Sequence, residues 1–273
     1  HIVFNNASVA VPGIEFFTWP DQWYHADTDT PDKGDPTEMK RVAFIGATTA
    51  WASANLTDEM VPHLLTAVSD FGYNRVAERG LPKALEVLEG AEAGDREAAA
   101  QAVRVIEAAV ERERDALKSI HQIHTGSREA VRMVDAEVAS WSDSGDALRD
   151  FILKAAAPGI AGGVDLPGPN AEDLTFDRIF PRVAAGIRGQ VFNMGQYGPA
   201  QDYFREHPGA LAEIGLSNAQ TQQIMNYVNG ERSILTIRNR VAARAGGAIS
   251  VGQVAQYLEV LDEIGWVELE GGN

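Results

Sequence analysis

The stretch DREAAAQAVRVIEAAVERERDALKSIHQIH, residues 95–124, places Val103, Ile106, Val110, Leu117 and Ile120 at alternating steps of three and four. A period near 3.5 keeps such side chains on one face of an α-helix. The rhythm skips one place, Glu113, a carboxylate standing in the apolar phase. After the break at Gly126-Ser127 the same phase resumes with Val131, Val134, Val138 and Trp141. Two long amphipathic segments joined by a short break predict an antiparallel helical hairpin inside a bundle. The same faces of helices 95–141 offer a surface through which two copies of the chain could associate, so a homo-oligomer is an alternative use of the stripe.

Working outward, residues 57–155 read as helical almost throughout, starting at Thr57-Asp58-Glu59 and broken at Gly72, Gly80, Gly90 and Gly94. Residues 156–170, AAPGIAGGVDLPGPN, are rich in Gly and Pro and form the expected linker. Beyond it helices are expected near 175–192, 199–206, 217–228, 231–245 and 250–264. A short strand, Trp266-Val267-Glu268-Leu269, closes the chain. Two helices followed by a terminal β element resemble a winged-helix module, so residues 171–273 are expected to form a helical region ending in one.

The first 56 residues differ in character. Ile2-Val3-Phe4, Val9-Ala10-Val11 and Ile14-Glu15-Phe16-Phe17 are β-like runs separated by Asn5-Asn6 and Pro12-Gly13. The polar loop WYHADTDTPDKGDP follows at 23–36, and Asp35-Pro36 opens a helix that runs to Leu56. Strand, loop and covering helix in this order are the grammar of the edge of an α/β domain. The fold class expected is therefore mainly α, with a short α/β remnant at the N-terminus. The opening His1-Ile2-Val3-Phe4 has no initiator Met and no signal-peptide architecture, and it reads as the interior of a longer chain.

Bulk composition limits the function classes. The formal net charge is −16, which repels phosphate backbones. The winged-helix-like tail does not reverse this. Residues 230–270 carry four arginines (232, 238, 240 and 244) against six acids, and segment 250–264 has no Lys or Arg. No nucleic-acid partner is expected. Cysteine is absent, which removes disulfides, thiolate nucleophiles and cysteine-bound zinc. No apolar run is long enough to span a membrane.

Few residues are placed to carry chemistry. A loop rich in Asp, Thr, Pro and Gly is what any turn requires, because these side chains satisfy nearby backbone groups. His121 and His124 lie three apart on a helix, a spacing that can chelate a metal, yet His124 also falls in the apolar phase. The glycines of AAGIRGQVFNMGQYGP have no preceding strand and no Lys-Ser/Thr, so they do not make a phosphate loop. Ser8, Ser53 and Ser69 lack a nucleophile-elbow context.

The order of residues in loop 23–36 says more than its composition. Tyr24-His25, then Asp29-Thr30, then Asp35-Pro36 with Val42-Ala43, after an apolar strand carrying Pro12-Gly13-Ile14, resembles the last ligand segment of the co-catalytic zinc exopeptidases. That family includes bacterial leucyl-type aminopeptidases, glutamate carboxypeptidase and glutaminyl cyclases, and its segment reads approximately Tyr/Phe-His-x-x-x-Asp/Glu-Thr. The resemblance covers residues 1–56. It implies that His25 binds one of two zinc ions, that Asp29 and Thr30 shape the loop around it, and that Tyr24 assists in stabilising the tetrahedral intermediate. A zinc-bound imidazole is usually oriented through its other nitrogen by a carboxylate, a part that nearby Asp27 or Asp29 could take. It also implies a peptide substrate and favours an exported protein. The family's other ligands and general base come from a His-x-Asp segment, a Glu-Glu pair and a further acid upstream, and nothing in this chain supplies them. The expectation is the C-terminal portion of a metallopeptidase, inactive without the upstream part of its catalytic domain. The alternative is a non-catalytic helical interaction protein carrying a peptidase remnant.

Overall fold

The computed structural model describes residues 15–17, 19–124, 126–158, 164–187, 198–245 and 249–271. The β-like runs at 2–4 and 9–11 lie outside these residues, and the described part of the third run, 15–17, is irregular.

Helix α1, Pro36–Ala54, begins where Asp35 accepts a hydrogen bond from the Thr37 amide at 2.7 Å, and it buries none of its side chains. A second helical stretch has three parts: α2, Val61–Arg75; a π-helical turn, Val76–Gly80; and α3, Leu81–Glu89. Pro82 explains the turn. It has no N–H to give to the carbonyl of residue 78, and its ring would collide with that carbonyl, so the register widens locally.

Helix α4, Arg96–Lys118, is capped by Asp95, which accepts from the amides of Glu97 and Ala98. A short turn of helix, α5, Ile120–Ile123, leads to the long α6, Arg128–Ala156, capped by Ser127. Helices α4 and α6 pack side by side, with α2 and α3 against them. Their shared core includes Ile106, Leu117, Val134, Trp141 and Ile152. The apolar stripe is thus covered within one chain, and association through that same stripe would require the bundle to open.

The rest of the chain builds a second core. Helix α7, Ala171–Phe176, precedes strand β1, Ile179–Val183. Helices α8, Gly198–Glu206, and α9, Ala210–Ile214, follow, then α10, Asn218–Tyr227, α11, Ile234–Ala245, and α12, Val251–Glu263. Strand β2, Val267–Gly271, pairs antiparallel with β1, matching Ile179 to Gly271 and Val183 to Val267. Capping boxes Ser217/Gln220 and Ser250/Gln253 start α10 and α12. Gly265, at φ 74°, ends α12: its amide and that of Trp266 bond back to Asp262 and Leu261, turning the chain directly into β2. The core beneath holds Ile224, Ile237, Val241, Leu258, Leu261 and Trp266.

Helix α11 belongs to both halves, since Ile237 and Val241 face the second core while Ala243 joins the first. Polar contacts reinforce the seam. Lys83 donates to the carbonyls of Ala243 and Arg244 at 2.7 and 3.0 Å, and Gln101 donates to that of Ala242. Arg240, buried, pairs with Glu111 and Asp115, and Arg232 also reaches Asp115 at 3.2 Å. Burial works against the Arg240 charge, but the Glu111 and Asp115 carboxylates outweigh it and hold the guanidinium above its ordinary pKa.

Several sequence expectations are corrected. The helix expected over 175–192 is not formed over its described part, 175–187, which holds the end of α7, a turn, strand β1 and a 3-10 turn at Ala185–Ile187; residues 188–192 lie outside the described residues. Pro181 could not sit in a helix interior, whereas on a strand with one neighbour its missing N–H is harmless. Gly72 and Gly80 do not break helices but permit close approach. A Cβ on Gly72 would lie 2.8 Å from Trp141 Cζ2, and one on Gly80 would lie 2.9 Å from the Ala109 Cβ. In α6 the buried residue is Ala130 rather than Val131, which is exposed.

Candidate functional site

Loop 23–36 is a succession of turns. Asp21 accepts from the Trp23 amide at 2.9 Å; then Ala26 bonds to Trp23, Asp29 to Ala26, and Lys33 to Thr30 through their backbones. His25 sits at φ 59°, the left-handed region, which a non-glycine residue enters at a cost of roughly 1–2 kcal/mol. That conformation lays its ring against Tyr24, 4.0 Å between centroids. Tyr24 in turn meets Phe17 and Trp19 edge-on, and Phe17 stacks on Trp19 at 5.7 Å. All three of these aromatic residues are at least half exposed, Trp19 at 67%. The cluster therefore packs on itself and leaves a broad apolar surface beside the histidine.

The acidic residues of the loop act locally. Asp32 takes hydrogen bonds from Lys33 and Thr30, in that order of weight, and its carboxyl is held below the usual range. The Thr30 amide donates to the Thr28 carbonyl at 3.0 Å. Asp35 is the helix cap already described. Asp27 and Asp29 make no side-chain hydrogen bond or ion pair among the described residues. No group of three His, Asp or Glu side chains among the described residues is disposed to hold a metal ion. A catalytic zinc takes about three protein ligands and an open position. The loop as it stands offers one, so the described residues do not by themselves fit a zinc centre, and no catalytic step follows from them.

His121 and His124 serve as struts. His121 pairs with Asp135 at 3.2 Å and His124 with Asp58 at 2.7 Å, so the two do not share a ligand. Asp58 also accepts from the Ser127 amide; Ser127 and then His124 hold its carboxyl below the usual pKa. Ser69 bonds to Glu137 at 2.6 Å and accepts from Trp141 Nε1, with no histidine in the network to activate it.

A feature invisible in the linear sequence is the meeting of basic side chains at the seam between bundle and tail. Arg79 and Lys83 from the second helical stretch, Arg112 from α4, and Arg240 and Arg244 from α11 line one cavity. Only tertiary packing brings them together. No family model, no curated protein and no solved structure matches this chain.

Proposed function

We propose that this chain is the C-terminal region of a zinc-dependent metallopeptidase of the co-catalytic exopeptidase type, acting on the N-terminal residues of peptides. The observation that carries the reading is the order Tyr24-His25, Asp29-Thr30, Asp35-Pro36 ahead of a helix. His25 is the proposed zinc ligand, and the neighbouring Tyr24 the candidate for steadying the tetrahedral intermediate. The remaining ligands and the general base would come from residues outside this chain. Two features support that arrangement. The aromatic cluster Phe17, Trp19 and Tyr24 is exposed, and so are Phe44 and Trp51, seven apart on one face of α1. Apolar surface of this kind suits the inner side of a larger domain. The helical halves beyond residue 57, ending in the winged-helix-like α11–α12–β2 unit, would then be accessory parts carried behind the catalytic domain.

The second reading is a non-catalytic interaction protein, for which the exposed aromatic residues Phe17, Trp19, Tyr24, Phe44 and Trp51 would serve as a contact surface. The two readings separate on the coding sequence preceding residue 1 and on activity. The first expects a His-x-Asp segment and a Glu-Glu pair upstream, and an aminopeptidase activity of the whole protein that chelators abolish. An upstream sequence without those residues, or activity indifferent to His25→Ala, would remove it.

A further inference from the structure

We infer that the seam between the helical bundle and the tail contains a binding site for a small phosphorylated molecule with an apolar or aromatic body. The inference does not rest on the zinc reading.

The cavity occupies 340 Å3 and is lined by Arg79, Lys83, Arg112, Arg240, Arg244 and the ring of Tyr227, with no carboxylate in its wall. In a chain of net charge −16 this is an inversion of the local field. Much of the positive charge is already answered from behind the wall. Arg112 pairs with the buried Glu113, and Arg240 pairs with Glu111 and Asp115. Lys83 faces the last carbonyls of α11, where it offsets the partial negative charge of that helix end. Arg79 and Arg244 have no carboxylate partner among the described residues. About two positive charges are therefore left over, and a phosphate monoester carries about −1.5 to −2. Guanidinium groups present paired N–H donors that match phosphate oxygens, which a monocarboxylate would leave in excess.

The shape adds the organic part. Val105, Ala108, Ala109 and Ala243 supply an apolar floor, and Tyr227 an aromatic edge. The π turn at 76–80 makes this possible: Gly80 lets the backbone approach Ala109 closely, and Arg79 stands at the rim. A second cavity of 440 Å3 adjoins it, sharing Lys83 and Val105 and adding Arg104 and Arg238. There the cations are answered: Glu97 also lines the wall and pairs with Arg104 at 2.8 Å, and Arg238 pairs with Asp173 at 3.0 Å. The unanswered positive charge therefore lies on the Arg79 and Arg244 side of Lys83, in the first cavity.

Phenyl phosphate is the probe, since it joins the phosphate to a small aromatic body. Titration of the whole chain by calorimetry at low ionic strength is expected to give saturable binding at one site per chain. Arg79→Gln/Arg244→Gln is expected to weaken it at least tenfold. Both residues are exposed and unpaired, so the melting temperature of the double variant without ligand should match that of the parent, which separates loss of the site from loss of the fold. Heats no larger than those from sodium chloride of equal ionic strength, or unchanged affinity in the double variant, would overturn the proposal.

Discussion

Glu113 is the residue whose structural role the sequence half revealed. It interrupts the apolar rhythm of α4, and the structure buries it to 1% exposure against Gly72 and Trp141. Its carboxylate accepts from Arg75 at 2.5 and 3.2 Å and from Arg112 at 2.6 and 2.8 Å. Both arginines remain more than a third exposed, so each can return its charge to water if the carboxylate is removed. Glu113→Leu is therefore expected to fold with stability within about 1 kcal/mol of the parent, whereas Glu113→Ala, which leaves a void, should lose about 2–3 kcal/mol in denaturant unfolding. Equal losses in the two variants would show that the ion pairs themselves are essential. Asp58 carries a pH prediction. Its folded pKa lies below the unfolded value, so its contribution is present above about pH 4 and disappears as pH falls through the folded pKa. Asp58→Asn should accordingly be less stable than the parent at neutral pH, with the gap closing in acid. A gap constant across that range would sink the assignment. No periodicity could have announced the Asp58 contact, because Ser127 and His124 meet it across 66 or more residues.

At the scale of elements, the helices of the bundle were legible because amphipathic period and capping chemistry agree over long segments. Strand β1 was not, since Ile179–Val183 is five residues long and its partner lies some ninety residues away. Propensity alone does not fix so short a segment. The glycines were misread for a related reason. A glycine within a helix reads as a break locally, yet Gly72 and Gly80 are there because α4 and Trp141 come too close for a methyl group. Gly72→Ala should gain helix propensity and still destabilise the protein by about 1–3 kcal/mol through overpacking. A thermal melt showing a stabilised variant would contradict the packing described for α2 against α6. The Gly265 turn, by contrast, could be anticipated from the phrase EIGWVEL, where glycine follows a helical run and β-prone residues follow glycine.

At the scale of the whole molecule, two cores meet along α11, and helix α1 buries none of its side chains in either. The mainly helical class was readable from composition and period. The seam was not, because its cations are scattered over 166 positions and cancel against acids in any linear count. The zinc reading is legible only as an ordered motif: loop 23–36 supplies His25 in a left-handed turn against Tyr24, but no companion ligand stands near it among the described residues. The proposal therefore turns on the protein with its upstream residues in place. Zinc per molecule, measured by mass spectrometry of the metal after dialysis, tests it most directly. The account predicts close to two zinc ions for the parent and the loss of about one in His25→Ala, with secondary structure unchanged. Equal zinc in both proteins, or none in either, would contradict it.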